Sequence, residues 1–151
     1  MGLCCTKDID ISRIKYKETK KFIPPIKKAY VIKVYDGDTF TIATTLPYDK
    51  NIYRFSVRIR GIDCPELRTK NSNEKFVALL AKNFVISKIL NKQVILRNIA
   101  YDKYGRLLAD TFINKHNLAN MLLQNNMAVT YDGGTKVCPK NWKIYYQKAN
   151  S

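Results

Sequence analysis

The chain has 151 residues, of which 27 are Lys or Arg and 12 are Asp or Glu, giving a net charge of +15. That length suits one domain with a modest core and a tail, and the basic excess points to a polyanionic partner: nucleic acid, the anionic face of a membrane, or both. The four cysteines, Cys4, Cys5, Cys64 and Cys138, show no Cys-x2-Cys spacing, and the single histidine is His116, which argues against zinc-ligand sets and histidine-dependent nuclease chemistry.

The first residues, Met1-Gly2-Leu3-Cys4-Cys5-Thr6, fit the pattern for N-myristoylation of Gly2, with Cys4 and Cys5 placed for S-palmitoylation. One acyl chain anchors weakly, so a second signal matters. Residues 1–30 add one: eight Lys or Arg against three acids, each net charge worth about 1 kcal/mol near an anionic leaflet. The reading presumes a eukaryotic cell or its virus and places the chain on the cytoplasmic face of a membrane. A chance Met-Gly start is the alternative. No secretion signal is recognised, so a reducing compartment without disulfides is expected. Phe22-Ile23-Pro24-Pro25 reads as a stiff linker, which divides the chain into a flexible basic tail at 1–28 and a folded domain at 29–151.

From Ala29 the pattern is that of strands: Tyr30 to Tyr35, Thr39 to Thr44, a polar loop holding Pro47, Asp49, Lys50 and Asn51, and an alternating strand from Tyr53 to Arg60. In the last, Tyr53, Phe55, Val57 and Ile59 share one face and Arg54, Ser56, Arg58 and Arg60 the other. Asn71 to Glu74 reads as a helix start, followed by a face built on Phe76, Leu80 and Phe84, with Val77, Ala81, Val85 and Ile89 on adjoining rows. Lys82 and Lys88 interrupt this stretch, and no apolar run reaches the roughly 18–20 residues of a membrane span. Gln93 to Ile99 and Leu107 to Ile113 read as two more strands around an Asp102–Gly105 turn. Five strands with a helix between the third and fourth is the order of an OB-fold barrel, an α+β, mainly β architecture. A second helix is expected at about Asn117–Asn125 on Leu118, Met121 and Leu122. Trp142, Tyr145 and Tyr146 allow one or two further helical turns, leaving the helix count at two or three.

Two acidic segments interrupt this basic chain, Tyr35-Asp36-Gly37-Asp38-Thr39-Phe40 and Arg58-Ile59-Arg60-Gly61-Ile62-Asp63-Cys64-Pro65-Glu66. Carboxylates that close repel each other unless a cation or arginine compensates them. Asp38 and Asp63 offer the oxygen ligands that Ca²⁺ or Mg²⁺ prefers. Glu66, beyond Pro65, suits a base that takes a proton from a nearby water, and Arg58 would face a phosphate. Asp36 stands either as a further ligand or as a turn-forming residue.

These motifs, together with Asp102-Lys103-Tyr104-Gly105-Arg106, resemble the signature of the staphylococcal nuclease (thermonuclease-like) family from about Ala29 to about Thr135. The resemblance implies a Ca²⁺ cofactor held by Asp38, Asp63 and the backbone carbonyl of Cys64. It further implies Glu66 as general base, and Arg58 and Arg106 as the phosphate clamp. Lys103 and Tyr104 would contact phosphate, and Tyr131 would offer an aromatic face. The implied activity is sequence-indifferent hydrolysis of DNA and RNA to 3′-phosphate ends; no protein partner is implied. Two rival readings remain open: a catalytically inactive OB-fold module that binds nucleic acid, and a lipid-anchored scaffold.

Overall fold

The structure, a computed structural model, describes residues 10–151; Gly2, Cys4 and Cys5 lie outside them. Five strands form the frame: β1 (Lys28–Val34), β2 (Thr39–Leu46), β3 (Asp49–Ile59), β5 (Gln93–Tyr101) and β6 (Leu107–Ile113). β1, β2 and β3 pair as an antiparallel meander, β1 also pairs with β5, and β5 with β6. A parallel ladder from β3 to β6, with Arg58 opposite Leu108, closes the sheet into a barrel. Closure removes the exposed edges that an open sheet of this length would carry. The expected mainly-β, OB-type barrel is thus the architecture found. The short strands β4 (Ile62–Asp63) and β8 (Val129–Thr130) pair with each other, and β7 (His116–Asn117) extends the sheet beyond β6. His116 is exposed there.

The interior follows the alternation in β3: Val57 and Ile59 are fully buried, with Phe40 and Ile42 of β2 and Val31 of β1 against them. The polar loop expected around Pro47–Asn51 is shorter than the sequence suggests. β2 runs to Leu46 and β3 starts at Asp49, leaving a two-residue turn. Asp49 stabilises that turn by accepting from the Asn51 N–H and the Tyr53 hydroxyl. A register shift between Val31 and Lys33 puts two consecutive β1 side chains, Ile32 and Lys33, on the outer surface.

Three helices close the ends. Helix α1 (Ser72–Ile89) starts at Asn71, whose side chain accepts from the N–H groups of Asn73 and Glu74. Its fully buried row is Val77, Ala78, Ala81, Val85 and Ile89, whereas Phe76 is half exposed and Leu80 and Phe84 are partly buried. The face is therefore rotated from the expected Phe76–Leu80–Phe84 centre, because small side chains let the helix approach the barrel closely. Phe76 instead lies under the Lys143 ammonium, 5.4 Å from its ring centroid. Helix α2 (Leu118–Gln124) buries Leu118, Ala119 and Leu122. A full third helix, α3 (Trp142–Asn150), forms with Trp142 buried and stacked edge-on against Tyr145. At the other end of the domain, Pro24 and Ile26 are buried ahead of β1, and Lys21 sits over the Tyr101 ring at 4.9 Å. No helix of the described residues is long and apolar enough to cross a membrane.

Candidate active site

The two acidic segments converge because the turn after β1 and the turn after β3 leave the barrel at the same place. The Ile59 N–H donates to the Asp38 carbonyl, tying the segments together. Gly37 is needed at this junction: a Cβ there would lie 2.8 Å from Cys64 Sγ and 2.9 Å from Ala81 Cβ. Cys64 is buried, and burial followed by the neighbouring carboxylates pushes its thiol well above the ordinary range. It is an uncharged packing group rather than a nucleophile.

Asp38 and Asp63 are both buried. Arg58 bridges them, its Nη2 3.2 Å from Asp38 Oδ2 and 2.9 Å from Asp63 Oδ1. The other terminal nitrogen, Nη1, donates to the carbonyl of Ile62 at 2.9 Å. Both ends of this guanidinium are thus occupied by the protein, as expected of an arginine that compensates two neighbouring carboxylates. Asp38 Oδ1 accepts from the Thr39 hydroxyl, and Thr39 Oγ1 in turn accepts from Arg106 Nη1. Arg106 is aimed by Asp102, which accepts from its Nε at 2.7 Å and from its backbone N–H. Gly105, with φ of +81°, makes the turn that brings Arg106 back to Asp102. Burial opposes ionisation of Asp102, but the bonds from Arg106 and Tyr104 outweigh it and hold its pKa below the usual value.

Glu66 differs from the buried pair, with its side chain 62% exposed at the rim. Its backbone N–H donates to Glu74 Oε1, which fixes the segment against α1. It pairs with neither Arg58 nor Arg68. Its partner is Lys136, 3.4 Å from Oε1, whose ammonium also lies 2.5 Å from Asp63 Oδ2. The buried Asp63 Oδ2 is thus met by the Lys136 ammonium alone among the described residues. Burial works against the Lys136 charge, but Asp63 and then Glu66 raise its pKa, so it stays protonated.

The β4–β8 ladder sets Asp63 opposite Val129, and Tyr131 follows with its N–H on the Gly61 carbonyl. The Tyr131 ring then lies 5.5 Å from the Arg58 guanidinium. Tyr104 lies 5.5 Å from the Arg106 guanidinium and beneath Lys103. The structure therefore gathers Asp36, Asp38, Arg58, Asp63, Cys64, Glu66, Lys103, Tyr104, Arg106 and Tyr131 around one open cleft of about 870 Å³. Lys136, which lines the same cleft, is absent from the sequence-based set.

Asp36 lies beside this cluster and accepts from the Asp38 N–H at 3.1 Å. Burial, then the Asp38 charge, pushes its pKa up to about 6. A carboxyl raised in the folded state contributes its full stability below the unfolded pKa and loses it as pH rises through the folded value. Ionised Asp36 therefore costs the fold about 1–3 kcal/mol above pH 6, the upper figure being discounted for its partial exposure. Asp36→Asn is expected to raise the melting temperature at pH 8 in chelator, with the gain gone by pH 4. An unchanged difference between those two pH values would show that Asp36 carries no such penalty.

The donor set fits a hard divalent cation. Asp38 and Asp63 share one guanidinium, Asp36 lines the same cleft beside Asp38, and Asp63 Oδ2 is held only by the displaceable Lys136 ammonium, so the carboxylates outnumber the fixed cations between them. Among the described residues no three such side chains converge as a ready-made cage. Any ion here would complete its shell with backbone carbonyl, water and a substrate oxygen, as a catalytic rather than a structural site does.

The fold and site define a small closed β-barrel with an acidic junction crossed by arginines. Residues 56–150 match the staphylococcal nuclease homologue family, and the chain belongs to that family. It is 31% identical over 134 residues to a probable endonuclease of Schizosaccharomyces pombe, covering 73% of this chain and 58% of the relative. It is equally similar, at 31%, to an uncharacterized protein of Methanocaldococcus jannaschii, covering 76% and 60%. A probable endonuclease of Kluyveromyces lactis is 26% identical over 70% of this chain and 42% of its own length. The chain thus spans about 60% or less of each of these relatives.

Proposed function

We propose that the chain is a Ca²⁺-dependent endonuclease that hydrolyses phosphodiester bonds of DNA and RNA with little sequence preference. The observation that carries this reading is the meeting of Asp38, Arg58, Asp63, Glu66 and Arg106 in one open cleft. Two relatives named as probable endonucleases support it. The cleft's cations address backbone phosphate, which carries no base information.

In the proposed mechanism Asp38, Asp63 and the Cys64 carbonyl would hold the cation, with Asp36 beside them. When bound, it polarises a phosphate oxygen and offsets developing charge. Lys136 gives way at Asp63 Oδ2, and the carboxylates loosen their hold on Arg58. Arg58 and Arg106 then grip the phosphate and stabilise the charge that grows on its equatorial oxygens. Glu66, at the rim, takes a proton from a water placed in line with the leaving oxygen; that water's oxygen forms the new bond to phosphorus as the bond from phosphorus to the 5′-oxygen breaks, and the 5′-oxygen leaves with the bonding pair and takes up a proton from solvent. Tyr131 and Tyr104 offer aromatic faces to flanking bases.

The test is cleavage of single-stranded DNA by the purified chain with Ca²⁺, with Mg²⁺ and with chelator. Cutting with Ca²⁺ and none in chelator is expected, leaving 3′-phosphate ends. Binding without cutting under every metal would replace the enzyme by an OB-fold binding module.

The proposal extends to a membrane tether through Gly2, Cys4 and Cys5. Lys15, Lys17, Lys20, Lys21, Lys27 and Lys28, which follow that segment in the sequence, are all exposed, which supports contact with an anionic leaflet. Gly2→Ala should move the chain from the membrane to the soluble fraction of a eukaryotic cell; an unchanged distribution rules the tether out.

A further inference from the structure

Beyond the catalytic cleft, a second groove of about 360 Å³ is lined by Lys33, Tyr35, Arg68 and Lys82 and shares Tyr35, Asp36 and Glu66 with it. The two therefore join along Tyr35, Asp36 and Glu66, and Lys103, Tyr104 and Tyr131 line only the first. We propose that this groove is a second phosphate subsite, binding the phosphodiester next along the strand from the one that is cut. The inference rests on the nuclease reading and gives the cleft a direction.

Three elements build the groove. The register shift in β1 turns Lys33 outward, and Tyr35 follows two residues on and is 47% exposed. Lys82 comes from α1, next to Ala81, which packs under Gly37. Arg68 comes from the segment between β4 and α1, two residues past Glu66. None of the three cations has an ion pair among the described residues. The acids at the junction are Asp36 and Glu66, and Glu66 is already paired with Lys136. Three cations without ion pairs lining one groove repel each other and gain from an anion bound there. The exposed Tyr35 ring beside them gives a base a surface to stack on. A strand running from the cleft into this groove passes Tyr35, Asp36 and Glu66, whereas Lys103 and Tyr104 line the cleft alone.

The test compares wild type with a Lys33→Ala/Arg68→Ala/Lys82→Ala variant. Binding of a labelled 15-residue oligothymidylate is followed by anisotropy in chelator across a salt series. Loss of three phosphate contacts lowers the slope of log affinity against log salt by about 2, and affinity at low salt falls about tenfold or more. A charge-matched control, Lys115→Ala/Lys143→Ala/Lys148→Ala, removes exposed lysines that line neither groove and should keep the wild-type slope. In Ca²⁺, the groove variant should still cleave a thymidine nitrophenyl phosphodiester, which has no neighbouring phosphate, at the wild-type rate, while cutting the oligonucleotide more slowly. An unchanged slope, an equal loss in the control, or an equal loss on the small ester would overturn the subsite. If the triple variant does not fold, Lys33→Ala and Arg68→Ala singly should each lower the slope by about 0.7. A wild type that binds but cuts neither substrate ends the nuclease reading, while the salt series still reads the groove.

Discussion

Glu66→Gln is expected to slow cleavage of single-stranded DNA by about 10²–10⁴-fold, the range for loss of a positioned base. The same change should leave the fold nearly untouched. Glu66 is exposed at the rim, and its only ion pair among the described residues is the 3.4 Å contact with Lys136. Such an exposed pair contributes about 0–1 kcal/mol. The backbone anchor to Glu74 runs through the Glu66 N–H and survives the substitution. Affinity for an oligonucleotide in chelator should hold or rise slightly, since phosphate contacts dominate it and one negative charge has gone. Loss of turnover with intact binding and an intact melting curve is the combination that assigns Glu66 the proton. A variant that retains a wild-type rate would move the base elsewhere in the cleft.

The parts of this site that were legible in the sequence are those set by local chain geometry. Asp36, Gly37 and Asp38 form a tight turn, and alternation along β3 fixes the side of the strand from which Arg58 projects. Asp63 and Glu66 follow after a short turn, and the Asp102–Arg106 segment closes on itself by hydrogen bonds within five residues. Lys136 was not legible for the opposite reason. Its position depends on the β4–β8 ladder, two residues long on each side, which carries no periodicity of its own. Its partner Glu66 lies 70 positions earlier. The same distinction explains the helices. The N-terminus of α1 announces itself through Asn71, but its rotation is decided by how closely Ala78 and Ala81 let it approach the barrel. Apolar spacing alone does not distinguish that small-residue row from the Phe76–Leu80–Phe84 row beside it. The third helix is short, yet Trp142 and the α1 contact hold it in place.

Arg58→Ala should be the most disruptive single substitution in the site, because its effect falls on stability as well as on turnover. In chelator it leaves Asp38 and Asp63 buried without the guanidinium that bridges them at 3.2 and 2.9 Å, and strips the Ile62 carbonyl of its donor. Breaking a buried pair by removing one partner costs about 3–5 kcal/mol. Urea unfolding at pH 7 in chelator measures this directly. Lys136 compensates only in part, since it reaches Asp63 but not Asp38. Arg58→Lys keeps the charge but cannot bridge two carboxylates and donate to a carbonyl with one planar group, so it should recover stability incompletely. Added Ca²⁺ should stabilise Arg58→Ala more than wild type, because an ion between the carboxylates replaces the missing charge. Its turnover nevertheless stays about 10²–10³-fold down, the cost of removing one donor to the transition-state charge. The pairing itself is read by a double-mutant cycle: Arg58→Ala/Asp38→Asn should be more stable than the sum of the single losses predicts. A stability loss below about 1 kcal/mol, or strict additivity, would mean that Arg58 contributes no more than a surface charge does.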